Sequence, residues 1–217
     1  MNKNDYSSAR RAMVEHQVET SGVTDRRLLS VLNRVPRELS VPPERRDLAY
    51  SDAPHPLGHG RFLPAPATFA RLVQLAAVTG GDRVLDYAPG SGYSTAVLAG
   101  MAREVVGLEP DAALAETARI TLDQLHLGNA SMLTGDMHAP DLNTFDVIVV
   151  EGALDQVPEA LLERLAPSGR LVCLLRRGPT GIATEYVRAP EGFASRAWFN
   201  ATLPPLATGP APEIFVF

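Results

Sequence analysis

One cysteine, one lysine and one tryptophan are all that 217 residues contain of those types. A single thiol, Cys173, excludes an internal disulfide. It lies in the apolar run Leu171 to Leu175 with no activating neighbour, and reads as a buried structural group. Lys3 is the sole lysine among 20 basic residues, which we read as coding bias rather than mechanism. Basic charge is not in excess: 20 Lys and Arg stand against 25 Asp and Glu, a net charge of −5. No strongly basic face is forced, so nucleic acid is not an expected partner. No run approaches the roughly 20 apolar residues of a membrane span. Met1-Asn2-Lys3-Asn4-Asp5 leads into a polar stretch without an apolar signal region. The expectation is a cytoplasmic protein with no membrane partner. Aromatics make up only 6%, so Ala, Val and Leu must build most of the core.

What is present suffices for that core. Apolar residues are 45% and charged residues 21% of the chain, which argues against global disorder. The length suits one domain with an appended helical segment. The texture changes near residue 80. Before it, helical patterns dominate: 6–20; 25–35, with Leu28, Val31, Leu32 and Val35 on one face and Thr24 or Asp25 as cap; and 67–78, with Pro66 in its first turn. Pro42, Pro43, Pro54, Pro56, Gly58 and Gly60 predict an ordered but irregular stretch over 42–60.

After residue 80, short apolar runs alternate with helices. Strands are predicted at 83–87, 105–109, 130–134, 145–150 and 170–175, with helices at 92–101 and 111–127 and another starting near Pro158. Gly128 is the expected stop of the 111–127 helix. This alternation predicts an α/β fold: a doubly wound, Rossmann-like parallel sheet covered on both faces. Residues 183–217 read as strand-like, with Trp198-Phe199 and Ile214-Phe215-Val216-Phe217, and suggest a C-terminal β-hairpin on the sheet edge. The division expected is 1–79, N-terminal helices and a substrate and cofactor loop packed on the catalytic domain, and 80–217, that domain with its hairpin.

The informative stretch is Val84-Leu85-Asp86-Tyr87-Ala88-Pro89-Gly90-Ser91-Gly92-Tyr93-Ser94. Strand, small-residue turn and helix let a ligand approach the backbone closely. In doubly wound sheets ligands bind there, beyond the carboxyl ends of the strands. Glu109 ends the second strand, 17 residues after Gly92 (109 − 92), where an acid can take both hydroxyls of a ribose. The plainer reading is that the glycines only turn the chain and Glu109 caps the helix after Pro110. Both features at this spacing weigh against it. A dinucleotide fingerprint is disfavoured, because Thr95 stands where its third glycine belongs.

Asp86-x-Ala88-x-Gly90-x-Gly92 resembles the first motif of S-adenosylmethionine-dependent methyltransferases, with alanine in place of the usual glycine at 88. Gly135-Asp136 matches that group's adenine contact. More specifically, the chain resembles protein-L-isoaspartate O-methyltransferases along nearly all its length. The supporting strings are Met13-Val14-Glu15-His16-Gln17-Val18, Val35-Pro36-Arg37-Glu38, Ala49-Tyr50-Ser51-Asp52, Leu57-Gly58-His59-Gly60, Gly90-Ser91-Gly92-Tyr93, Ala96-Val97-Leu98-Ala99 and Leu127-Gly128-Asn129. The resemblance implies S-adenosyl-L-methionine as cofactor and methyl transfer to isoaspartyl carboxylates of damaged proteins. The cofactor set is then Asp86, Ala88, Gly90, Gly92, Tyr93, Glu109, Asp136 and Met137.

The family's signature loop, G-x-G-Q-T-I-S-x-P, reads Gly58-His59-Gly60-Arg61-Phe62-Leu63-Pro64-Ala65-Pro66 here. Pro64 takes the place of the hydroxyl-bearing serine and offers neither O–H nor N–H. The chain thus resembles a divergent branch without that serine. Arg61 is a candidate to hold an acidic acceptor by a bidentate contact; the plain alternative is a surface arginine covering Phe62. Two other functions stay open: transfer to an acidic small molecule, and cofactor binding without transfer. His55 and His59 sit across Pro56 and Gly58, so no helix presents them as a metal pair, and no metal is expected. His16 and His138 are isolated. Tyr87 and Tyr93 are candidates for a ring face against the sulfonium. Glu151 lies on the rim where acceptors bind, either steering substrate or only beginning a turn. The sequence does not decide the oligomeric state; a monomer is the starting expectation.

Overall fold

The structure, a computed structural model, describes residues 3–138, 142–178 and 180–206. Helix α1 covers Lys3–Met13. It runs on through a wider π turn, Val14–Val18, and a 3-10 turn, Glu19–Ser21, before Gly22 ends it at φ 92°. Helix α2 is Arg26–Leu32, and its cap is Asp25 rather than Thr24: the Asp25 carboxylate accepts from the Arg27 and Leu28 amides. Helix α3, Pro66–Ala76, starts with proline in its first turn, where no amide partner is lost.

The irregular stretch between α2 and α3 holds more order than its prolines suggest. Pro43–Leu48 forms a 3-10 turn. His55–Gly58 (β1) and Arg61–Leu63 (β2) then pair as a small antiparallel hairpin. Sequence patterning missed it because Pro56, Gly58 and Gly60 are residues that normally end strands.

The second part alternates as expected: β3 (Arg83–Tyr87), α4 (Tyr93–Ala99), β4 (Glu104–Glu109), α5 (Ala112–Gln124), β5 (Ala130–Thr134), β6 (Phe145–Leu154), α6 (Glu159–Glu163), β7 (Leu165–Arg177), β8 (Thr180–Ala189) and β9 (Gly192–Ala201). Helix α5 ends before Gly128; His126 takes up the left-handed conformation, φ 53°, that the glycine was expected to provide. The sheet order is β5-β4-β3-β6-β7-β8-β9. Strands β5 to β7 pair in parallel, and β8 and β9 add an antiparallel hairpin at the edge. Ile214 to Phe217 fall outside the described residues. The winding reverses at β3, which lies between β4 and β6, so the carboxyl ends of these three strands open the crevice where such sheets bind ligands.

The core is continuous across the change of texture at residue 80. Val14, Leu28, Leu32, Phe69 and Val73 from the helices pack in one cluster with Val84, Val105, Val147 and Val172 from the strands. The opposite sheet face packs Leu85, Ile148, Leu171 and Cys173 against Leu161 of α6. Cys173 is fully buried, and burial pushes its thiol up to about 12, which leaves no thiolate to react. Among the described residues, no helix is long and apolar enough to cross a membrane.

Candidate active site

The turn after β3 has the geometry its small residues imply. Ala88, Gly90 and Gly92 all take positive φ, at 61°, 64° and 87°. Only glycine does so freely, so the turn carries a cost of about 1–2 kcal/mol at Ala88. A Cβ at Gly92 would fall 3.0 Å from Ala118 Cβ and 3.1 Å from its Cα, so the missing side chain lets α5 approach the turn. Thr95 fits at the position where a dinucleotide fingerprint has its third glycine, because Gly107 opposite it leaves room: a Cβ at Gly107 would lie 3.1 Å from Thr95 Oγ1. Thr95 and Ser94 donate to Asp86 Oδ2 at 2.7 and 2.6 Å. Asp86 is wholly buried, and burial raises its carboxyl to about 7 despite those two donors. It ties β3 to α4 beneath the turn.

Glu109 is also wholly buried, at the carboxyl end of β4. It accepts from the Gly90 amide at 2.7 Å through Oε2 and from the Asp111 amide at 3.0 Å through Oε1. It does not cap α5; Asp111 does, accepting from Ala113 and Leu114. The plainer reading of Glu109 as a helix cap is therefore excluded. Gly135 donates its amide to the Glu109 carbonyl at 3.1 Å, which brings the exit of β5 beside this acid. The next residue, Asp136, is exposed, and its carboxylate accepts from the His138 amide at 2.9 Å. Met137 is buried in the core cluster of the second sheet face. Tyr87 lies within electrostatic reach of Asp136 and Glu109; burial, then these charges, raises its hydroxyl to about 12. Tyr93 is 1% exposed, with its ring 5.4 Å from Phe69 and 4.9 Å from the Arg37 guanidinium. That ring offers no free face to a ligand here. Asp86, Ala88, Gly90 and Glu109 thus converge, Asp136 stands at the margin, and the Tyr93 and Met137 side chains belong to the core.

The β1–β2 hairpin covers the turn. Leu57 Cδ1 stands 2.7 Å from where a Gly90 Cβ would lie. His59 meets Asp111 through Nδ1 and Oδ2 at 2.5 Å. Arg61 donates Nη1 to Glu109 Oε1 at 2.7 Å and Nη2 to the Ala88 carbonyl. Only 12% of the Arg61 side chain is exposed, so it is an inward residue and not a surface cover for Phe62, which is itself exposed. His55, by contrast, is buried, and burial together with Arg37 and Arg45 lowers its imidazole to about 4.

Two site residues had no assigned role or only a weak one in the sequence. Arg37 is fully buried, donates Nε to Ala49 at 2.7 Å and Nη2 to the Pro64 carbonyl, and so fixes the loop bearing Pro64. Its only sequence signal was its place in the Val35-Pro36-Arg37-Glu38 string. Glu151, in β6, lines a narrow recess with Arg61, Phe62, Pro64 and the segment Leu203 to Leu206.

The doubly wound sheet, the left-handed small-residue turn and the buried acid at the next strand end define a Rossmann-like methyltransferase fold. Comparisons extend this. The family model for protein-L-isoaspartate(D-aspartate) O-methyltransferase matches residues 8–193. A Methylorubrum populi protein-L-isoaspartate O-methyltransferase is 40% identical over 207 residues, covering 93% of this chain and 96% of its own. One from Anaeromyxobacter is 39% identical over 190 residues, covering 84% and 77%. Among solved structures, a Plasmodium falciparum protein described as a member of this group, in complex with S-adenosyl-L-homocysteine, superposes with a TM-score of 0.79 at 21% identity, covering 92% of this chain and 99% of that one. The chain belongs to the protein-L-isoaspartate(D-aspartate) O-methyltransferase family.

Proposed function

We propose that this protein transfers the methyl group of S-adenosyl-L-methionine to the free carboxylate of isoaspartyl residues in damaged proteins. The observation that supports it most is Glu109: a fully buried acid, held by the Gly90 amide, at the end of the strand beside the small-residue turn. The residues fit an adenosyl group on one condition. Glu109 Oε1 now accepts from Arg61, so a ribose hydroxyl takes that oxygen only as the guanidinium leaves. In this reading Gly90 and Gly92 give the backbone approach, the exposed Asp136 accepts from the adenine amino group, and Ala88 narrows the turn by one methyl. Main-chain atoms, rather than side chains, are the contribution of Tyr93 and Met137 in this reading.

When bound, the cofactor would supply an electrophilic methyl group: the acceptor oxygen's lone pair would form the new C–O bond while the C–S bonding pair stays on sulfur, with no proton to move. A carboxylate is already ionised at neutral pH, so the chain needs no general base. Its residues place the acceptor in line, an effect worth up to roughly 7–11 kcal/mol in ideal cases. Arg61, at the border of the turn and the recess, binds the acceptor carboxylate. Arg37 holds the Pro64 backbone in place. Damaged proteins of the cytoplasm are the partners of this reading.

Calorimetry with S-adenosylmethionine and with NAD, followed by methyl transfer from labelled cofactor to an isoaspartyl peptide, tests the proposal. Binding of the sulfonium compound and a labelled peptide ester are expected. Binding of NAD alone sinks the site assignment. Cofactor binding with labelling only of small carboxylic acids favours the second reading, an acidic small-molecule acceptor, which the narrowness of the recess beside Glu151 also suits.

A further inference from the structure

Glu151 is 5% exposed, and neither of its carboxyl oxygens has a hydrogen-bond partner. An ionised carboxylate is too costly to bury in that state, and such a group keeps its proton instead. Burial first, and the Asp86 charge second, hold the Glu151 carboxyl well above the usual range; Arg61 and Arg37 oppose them. The charged groups facing it come from three elements: Asp86 from β3, Arg61 from β2 and Arg37 from the 3-10 turn Arg37–Ser40 that follows α2. Leu203, Pro204, Pro205 and Leu206, on the remaining wall, carry no charge.

A neutral carboxyl has one O–H to give. Here that donor has nothing to give it to, and it shares the recess with Pro64, the position that lacks a hydroxyl. The two arginines beside it favour an anionic occupant and disfavour an amine. Arg61 lines this recess and also binds Glu109, so a sugar hydroxyl that takes Glu109 frees the guanidinium for the acceptor side.

We infer that Glu151 binds the methyl-accepting carboxylate through its O–H, supplying the hydrogen bond that Pro64 does not. The inference rests on the carboxyl-transfer reading above. It makes Glu151 an acceptor-binding residue whose donor disappears on ionisation.

The test compares wild type, Glu151→Gln and Glu151→Ala in methyl transfer to an isoaspartyl peptide across pH. S-adenosylhomocysteine affinity is measured alongside by calorimetry. In wild type, kcat/KM rises as the peptide carboxylate ionises and falls again on the alkaline side as Glu151 loses its proton. Glu151→Gln keeps an N–H donor of the same shape; transfer within about threefold of the wild-type maximum, without the alkaline fall, is expected. Glu151→Ala loses about 10- to 100-fold in kcat/KM, the scale of one hydrogen bond to a charged group, with product affinity within twofold of wild type. Should the alanine variant not fold, the glutamine profile carries the test. Wild-type transfer by Glu151→Ala, or an unaltered alkaline limb in Glu151→Gln, overturns the role of Glu151 and leaves the methyltransferase reading standing. A wild-type protein that binds cofactor yet esterifies no carboxylate overturns both.

Discussion

Arg61 and Glu109, 48 residues apart, form an ion pair of 2.7 Å in which the acid is fully buried and the arginine side chain is 12% exposed. The pair joins the divergent loop to the acid expected to hold the ribose. In the proposed function, cofactor and arginine therefore compete for one oxygen. Arg61→Gln should tighten S-adenosylhomocysteine binding by about three- to tenfold, the upper figure being about 1.4 kcal/mol. The same variant should raise KM for the peptide, because the freed guanidinium is the group proposed to meet the acceptor. Titration calorimetry and steady-state kinetics check the two halves. Weaker product binding would show instead that Arg61 touches the cofactor.

Glu109→Ala removes the acid proposed to hold the ribose and the partner of the Gly90 amide. Product affinity should fall at least about tenfold, the scale of a lost hydrogen bond to a charged group. An unchanged dissociation constant removes Glu109 from the sugar.

The turn offers a paired comparison. Gly92→Ala places a methyl group at φ 87°, 3.1 Å from the Ala118 backbone. It should destabilise the fold by about 2 kcal/mol through strain and overpacking together. Ala88→Gly relieves the left-handed alanine at φ 61°. The glycine also adds freedom to the unfolded chain, which offsets part of that gain. Stability within about 1 kcal/mol of wild type and equal or tighter product binding are expected, read from denaturant melts and calorimetry. Loss of binding on Ala88→Gly would contradict the assigned geometry of the turn.

Asp86 sets a dependence on pH. Its carboxyl is raised to about 7 in the folded protein by burial, against about 4 in an unfolded chain. Between these values the native state holds a proton that the unfolded state has lost. Stability should therefore be greatest below about pH 4 as far as Asp86 is concerned, and be lost as pH rises through about 7. Asp86→Asn, whose amide oxygen can still accept from Ser94 and Thr95, should flatten that slope. Urea unfolding at pH 5, 6, 7 and 8 measures it. A slope equal to wild type would mean that Asp86 is ionised throughout.

Much of the catalytic fold was legible because its signals are local. The runs at 83–87 and 105–109 are short, bounded by turn residues, and built around Val and Leu, and both are strands. The Asp86-to-Gly92 turn and Glu109 were readable because fixed spacing follows from one strand, one helix and the next strand. The hairpin at 55–63 was not, because its glycines and prolines say "turn" while its pairing is fixed by contacts with Gly90, Glu109 and Asp111. Arg37 gave no sign of burial: a charged residue is driven inside only by carbonyls brought close by the fold, here those of Ala49 and Pro64. Glu151 read as rim or turn for the same reason. The charged groups that face it, Asp86, Arg61 and Arg37, all lie far from it in sequence. The room for Thr95 is not readable from the local motif, because Gly107, which provides it, lies on another strand.

The core shared by the leading helices and the strands has a bearing on how this branch can change. The loop bearing Arg61 and Pro64 is fixed at several points along its length: Arg61 itself binds Glu109 and the Ala88 carbonyl, Arg37 grips the Pro64 carbonyl, and α3 begins at Pro66. A swap of the loop alone, taken from a serine-bearing cousin, would land between fixed posts and inherit their spacing. New acceptor preferences in such a scaffold are expected to arise by exchanging side chains in place, as at 61, 62 and 64.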